Sequence, residues 1–136
     1  TGIPLPLIRR RYLESEHLAE GIKLVATTKK SAANNMMLST AEGFAIDFEC
    51  APNEAFALYP MDGLLVHANH WTNPSALCKL KDTGIADVPD SFYRDYRVRE
   101  ALAKKTGRIV VDDVKAALFD DFGTPQGTWA HWLRAL

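Results

Sequence analysis

The sequence predicts an α+β protein with antiparallel strands in the middle of the chain and helices on both sides. Three observations carry this. Apolar residues recur at helical spacing before residue 30 and after residue 90, and with a period of two between residues 34 and 70. Turn signals divide that middle stretch at short intervals. The 136 residues, 47% apolar and 24% charged, suffice for one domain with a sizeable core.

The first block, 4–30, reads as two helices. Leu5, Ile8 and Tyr12 form one stripe, with Pro6 tolerated in the first turn. Leu18, Ile22 and Val25 form the second, and Ser15 is the expected N-cap between them. The second block, 34–70, holds four expected antiparallel strands near residues 34–40, 44–50, 54–59 and 63–69. Phe44, Ile46, Phe48 and Cys50 alternate there with Ala45, Asp47 and Glu49. Turns are expected at Ala41-Glu42-Gly43, Ala51-Pro52-Asn53-Glu54 and Pro60-Met61-Asp62-Gly63. In the last strand Leu64 and Val66 oppose Leu65, so both faces are apolar. That predicts layers, sheet against sheet with helices outside. Residues 71–89 read as a long loop. The third block, 90–122, returns to helix, with Asp90 as N-cap of one helix, Gly107 as its stop, and Val110, Val114, Ala117 and Leu118 marking another. Trp129 and Trp132 are expected to dock on the body.

Composition excludes several classes of function. Sixteen basic and seventeen acidic residues leave a net charge of −1, so no general field attracts nucleic acid or an anionic membrane. Apolar runs such as Gly63-Leu64-Leu65-Val66 are far too short to span a bilayer. No signal-like segment opens the chain, which predicts a cytoplasmic protein, and the start at Thr1 without methionine suggests processing or truncation. Cys50 and Cys78 form neither a disulfide framework nor a zinc pattern. No phosphate-binding glycine loop, Gly-x-Ser-x-Gly elbow or His-Glu-x-x-His motif occurs, and no cofactor is expected.

Two segments carry candidate chemistry. His67-Ala68-Asn69-His70-Trp71 closes the last expected strand. Strand alternation places His67 and Asn69 on one face and His70 on the other, which argues against a two-histidine metal clamp. Both histidines then read as substrate-contacting groups or as hydrogen-bonded rim residues. The Asn69 carboxamide suits donation to the oxyanion of a tetrahedral intermediate. In the second segment, Ser91 and Arg94 begin a stripe that continues through Asp95, Val98, Ala101 and Leu102. They either point into a cleft or form a solvated first turn with an Arg94–Asp90 ion pair. Tyr93 and Arg97 read as surface packing. Asp47 and Glu49 share a strand face, either as acid–base or substrate-binding carboxylates or as part of a solvated sheet edge. Cys50, on the apolar face, reads as a buried inert thiol, and Arg9-Arg10-Arg11 as a solvated helix face.

Asn34-Asn35-Met36-Met37-Leu38, then Gly43-Phe44-Ala45-Ile46-Asp47-Phe48-Glu49, then Asp62-Gly63-Leu64-Leu65-Val66-His67-Ala68-Asn69-His70-Trp71 resembles the acyl-coenzyme A:isopenicillin N acyltransferase-like family of N-terminal-nucleophile hydrolases. The likeness covers most of the chain and weakens after Gly123. It implies a four-layer αββα sandwich and acyl transfer or amide hydrolysis by an N-terminal cysteine exposed by self-cleavage. Asn69 matches the asparagine of the family's His-Thr-Asn-His motif and would donate to the oxyanion, while Ser91 and Arg94 match a polar pair near substrate or nucleophile. Ala68 stands where the family has threonine. The family nucleophile precedes the matched segment, so the resemblance implies that this polypeptide is a C-terminal portion of such an enzyme. Its partners would be a complementary chain carrying the cysteine, or a second copy joined through sheet edges, and a small acyl donor of the acyl-coenzyme A type. A non-catalytic truncated member, acting as a dimeric or ligand-binding module, is the alternative.

Overall fold

The computed structural model describes residues 1–122. It shows mixed α+β structure: α1 (Leu5–Leu13), α2 (Leu18–Thr27), β1 (Asn34–Ser39), β2 (Ala45–Cys50), β3 (Ala55–Leu58), α3 (Pro74–Lys79), α4 (Asp90–Ala103) and α5 (Val111–Leu118). The expected docking of Trp129 and Trp132 lies outside the described residues. The chain divides into two compact units: Thr1–Tyr59 with Trp71–Lys81, and Pro60–His70 with the residues from Asp82 onward.

In the first unit β2 is the central strand of an antiparallel sheet ordered β1-β2-β3, with Met36 opposite Phe48 and Glu49 opposite Phe56. Period-two alternation sorts its side chains. Met36, Leu38, Ile46, Phe48 and Cys50 join Ile8 of α1 and Val25 of α2 in one buried cluster. The two helices approach closely because Gly21 has no side chain: a Cβ there would lie 2.5 Å from the Tyr12 ring. Lys30 is buried, and its ammonium donates to the Val25 carbonyl at 2.6 Å, satisfying an acceptor in the last turn of α2. Ser15 is not the N-cap. Its hydroxyl donates back to the Arg11 carbonyl at 3.2 Å, and His17 occupies the capping position without a side-chain bond. The expected loop over 71–89 contains α3 and a 3₁₀ turn, Gly84–Ala86. Asn73 caps α3 by accepting from the Ser75 and Ala76 amides at 2.9 and 3.4 Å.

In the second unit Leu64, Leu102 and Ala117 are buried together, with Val98 and Ile109 packed against them. Gly107, at φ +81°, ends the turn after α4 in the left-handed conformation that glycine tolerates. At the start of α4, Pro89 takes the N-cap position and Asp90 is the first helical residue, so Asp90 is not the cap. Arg97 joins α4 to the end of α5 through two bonds to Asp120, at 2.6 and 2.8 Å, with its guanidinium 4.7 Å from the Phe122 ring centre.

The fourth expected strand does not form. Asp62 and Gly63, both at positive φ, make the tight turn that Asp-Gly favours, and reciprocal 2.9 Å bonds join Met61 to Leu64. Beyond that single bridge, side chains rather than a neighbouring strand take the backbone. The Val66 carbonyl accepts from Arg99 at 2.8 Å, the Ala68 carbonyl contacts the His67 imidazole at 2.7 Å, and the Asn69 amide donates to Ser91 at 2.6 Å.

Candidate functional site

The loss of strand geometry changes which side chains meet. Expected alternation separates Asn69 from His70, but a bend at these two residues brings both to Ser91. The Ser91 hydroxyl is fully buried in the first turn of α4. It accepts the Asn69 backbone N–H and lies 2.8 Å from Nδ1 of His70. The His70 ring is buried, with its centre 4.4 Å from that of Phe92. His67 contacts its neighbour's carbonyl instead.

One helical turn on, Arg94 uses both arms of its guanidinium. Nε donates to Asp90 at 2.7 Å, and Nη2 donates to Oδ1 of Asn69 at 2.7 Å. The expected i, i+4 pair with Asp90 is present, and the same side chain also reaches Asn69. A carboxamide's oxygen and nitrogen diverge, so an oxygen held by Arg94 directs the Nδ2 amino group the other way. Asn69 itself is exposed.

The carboxylates of β2 belong to the first unit. Neither Asp47 nor Glu49 occupies a solvated edge, because β2 is central and both are buried, at 0% and 1% exposure. Asp47 accepts from Asn35 at 2.7 Å. Glu49 accepts from the Thr72 amide at 2.6 Å, the Thr72 hydroxyl at 2.7 Å and the Asn73 amide at 3.0 Å. It thereby ties the start of α3 to the sheet. Among the described residues, no three His, Cys, Asp or Glu side chains gather as a metal site.

Cys50 is buried among apolar neighbours, and desolvation pushes its thiol pKa up despite the opposing charge of Lys30; the Asp47 charge adds to the rise. Cys78 is exposed on α3. No helix of the described residues is long and apolar enough to cross a membrane.

Sequence reasoning found Asn69, Ser91, Arg94 and His70 as separate candidates, but not their common hydrogen-bond chain. The partners are 21 to 25 residues apart, beyond the reach of any periodicity. The Glu49–Thr72 tie, 23 residues long, had no sequence signal either. Comparison with family models, curated proteins and solved structures finds no match to this chain.

Proposed function

We propose that this chain forms part of a cysteine-nucleophile acyltransferase or amidohydrolase of the N-terminal-nucleophile type, supplying the oxyanion donor to a thiolate outside these residues. The observation that carries the reading is the Arg94–Asn69 contact, which holds the oxygen of an exposed carboxamide and so directs its amino group away from Arg94. In catalysis a thiolate attacks the acyl carbonyl of an amide or thioester, and the oxygen gains negative charge. Asn69 Nδ2 then donates to that oxygen, an interaction stronger in the transition state than in the ground state. Ser91 and Arg94 position Asn69 rather than touch the acyl group. An external thiolate is part of the reading because Cys50 is buried with a raised pKa and the resemblance places the nucleophile ahead of the matched segment. The exposure of Asn69 fits a site that a second polypeptide closes and dries. The sheet and its flanking helices would then be one half of a four-layer αββα sandwich.

The test is chemical. The reading frame upstream of Thr1 should encode a segment that matures to an N-terminal cysteine. The assembled protein, treated with an acyl thioester, should gain one acyl group on that cysteine, seen by mass spectrometry of the intact chains. An assembly that contains such a cysteine and is never acylated by thioester or amide substrates contradicts the proposal.

A second reading, a non-catalytic self-associating module, draws on the sheet. Among the described residues β1 and β3 each pair on one side only, and exposed Met37 and Tyr59 lie on or beside these edges. A homodimer by native mass spectrometry, with no acylation under any of these conditions, would favour it.

A further inference from the structure

We infer that Asp90 is a positioning residue, holding Arg94 so that Arg94 in turn orients the Asn69 carboxamide. The inference rests on the reading of Asn69 as the oxyanion donor, but its structural content is tested separately. Arginine has a long side chain with about 2 kcal/mol of rotamer entropy, so a guanidinium left to itself would hold Asn69 only part of the time. Asp90 removes that freedom. Its Oδ2 accepts from Arg94 Nε at 2.7 Å across one helical turn, and the pair is largely shielded, with side chains 11% and 18% exposed for Arg94 and Asp90. This leaves Nη2, on the same rigid plane, aimed at Asn69 Oδ1 at 2.7 Å.

The local sequence frees Asp90 for this role. Pro89 occupies the N-cap position, and Asp90 sits one residue inside the helix without capping an amide. There its negative charge is also favoured by the helix dipole. The Asn69 backbone is held independently, through its N–H to Ser91. Main chain and side chain of Asn69 are therefore anchored by different residues, and a change at Asp90 should release only the side chain.

The experiment is NMR relaxation on the intact chain, comparing the Asn69 side-chain amide with its backbone amide. In the wild type both should be rigid, with order parameters near 0.85. In Asp90→Ala the side-chain value should fall below about 0.6 while the backbone value holds. Arg94→Lys should behave the same way, because an ammonium cannot fork between two acceptors. If Asp90→Ala does not fold, the near-isosteric Asp90→Asn is read instead, and its side-chain order parameter should lie below the wild-type value. A side-chain amide as rigid in the Asp90 variant as in the wild type overturns the inference. Loosening with an unchanged acylation rate in the assembled enzyme would uphold the positioning role and refute the oxyanion role.

Discussion

The two thiols of this chain differ in the properties that govern their chemistry. Cys50 is enclosed by the helix-facing side of the sheet, and burial raises its pKa, whereas Cys78 projects from a short helix into solvent. Alkylation by iodoacetamide at pH 8 should therefore label Cys78 at least about 100-fold faster, since thiolate fraction and access both favour it. Comparable rates, measured by peptide mass spectrometry, would show that Cys50 is neither buried nor inert. Glu49 makes an equally local claim. A carboxylate can accept all three bonds from Thr72 and Asn73, but a carboxamide presents an amino group to one of those donors. Glu49→Gln should destabilise the fold by about 1–3 kcal/mol in urea titration. A change within about 0.5 kcal/mol would make Glu49 an ordinary surface-like position. Residue-scale roles were only partly legible in the sequence. Residue type marked Asn69 and Arg94 as polar candidates, but the contact between them spans 25 residues and depends on how the chain bends at Asn69 and His70.

At the scale of elements, legibility followed from whether periodicity alone decides the structure. The two N-terminal helices and the first three strands have their own amphipathic pattern, and they form close to the expected limits. The stretch after Gly63 has a strand-like pattern but, among the described residues, no strand beside it, and α4 takes up its backbone through Arg99 and Ser91. Apolar alternation cannot distinguish these outcomes, because both bury Leu64. The N-terminus offers a sharper test of local structure. Ile3 bridges Lys30, donating to the Lys29 carbonyl at 2.8 Å and accepting from the Ser31 amide at 3.1 Å. A Cβ on Gly2 would stand 2.1 Å from the Lys30 carbonyl oxygen, a backbone atom that cannot yield as a flexible side chain would. Gly2→Ala should cost about 1–3 kcal/mol and speed hydrogen exchange at the Ile3 and Ser31 amides. Unchanged protection at both would contradict the close approach. The Arg97–Asp120 clasp between α4 and the end of α5 predicts a pH signature. The Arg97 guanidinium holds the Asp120 carboxyl below the usual carboxylate range, so folding favours its charged form. That contribution is complete above the unfolded pKa, near 4, and fades as the pH falls through the folded value. The urea midpoints of wild type and Asp120→Asn should therefore differ at pH 7 and converge below about pH 4. A gap that is constant with pH would mean that the clasp does not act through charge.

For the whole molecule, the claim is that these residues are one part of an acyl-transfer machine. On the proposed reading the chain would contribute the oxyanion donor and the elements that support it, while the nucleophile would come from another polypeptide segment. Mixed α+β architecture was readable from the sequence, because period and turn residues set it. Completion of the site by a second polypeptide was suggested only by resemblance, since no property of an amino-acid string states which surface a partner covers. Association should accordingly shield Asn69 from solvent. The most direct measurement is the single-turnover acylation rate of the assembled enzyme carrying either Asn69 or Asn69→Ala. Loss of one oxyanion donor should slow acylation by roughly 100- to 1,000-fold with the unfolding midpoint and assembly unchanged. Equal rates in two equally stable assemblies would contradict the assignment of Asn69 to the reaction.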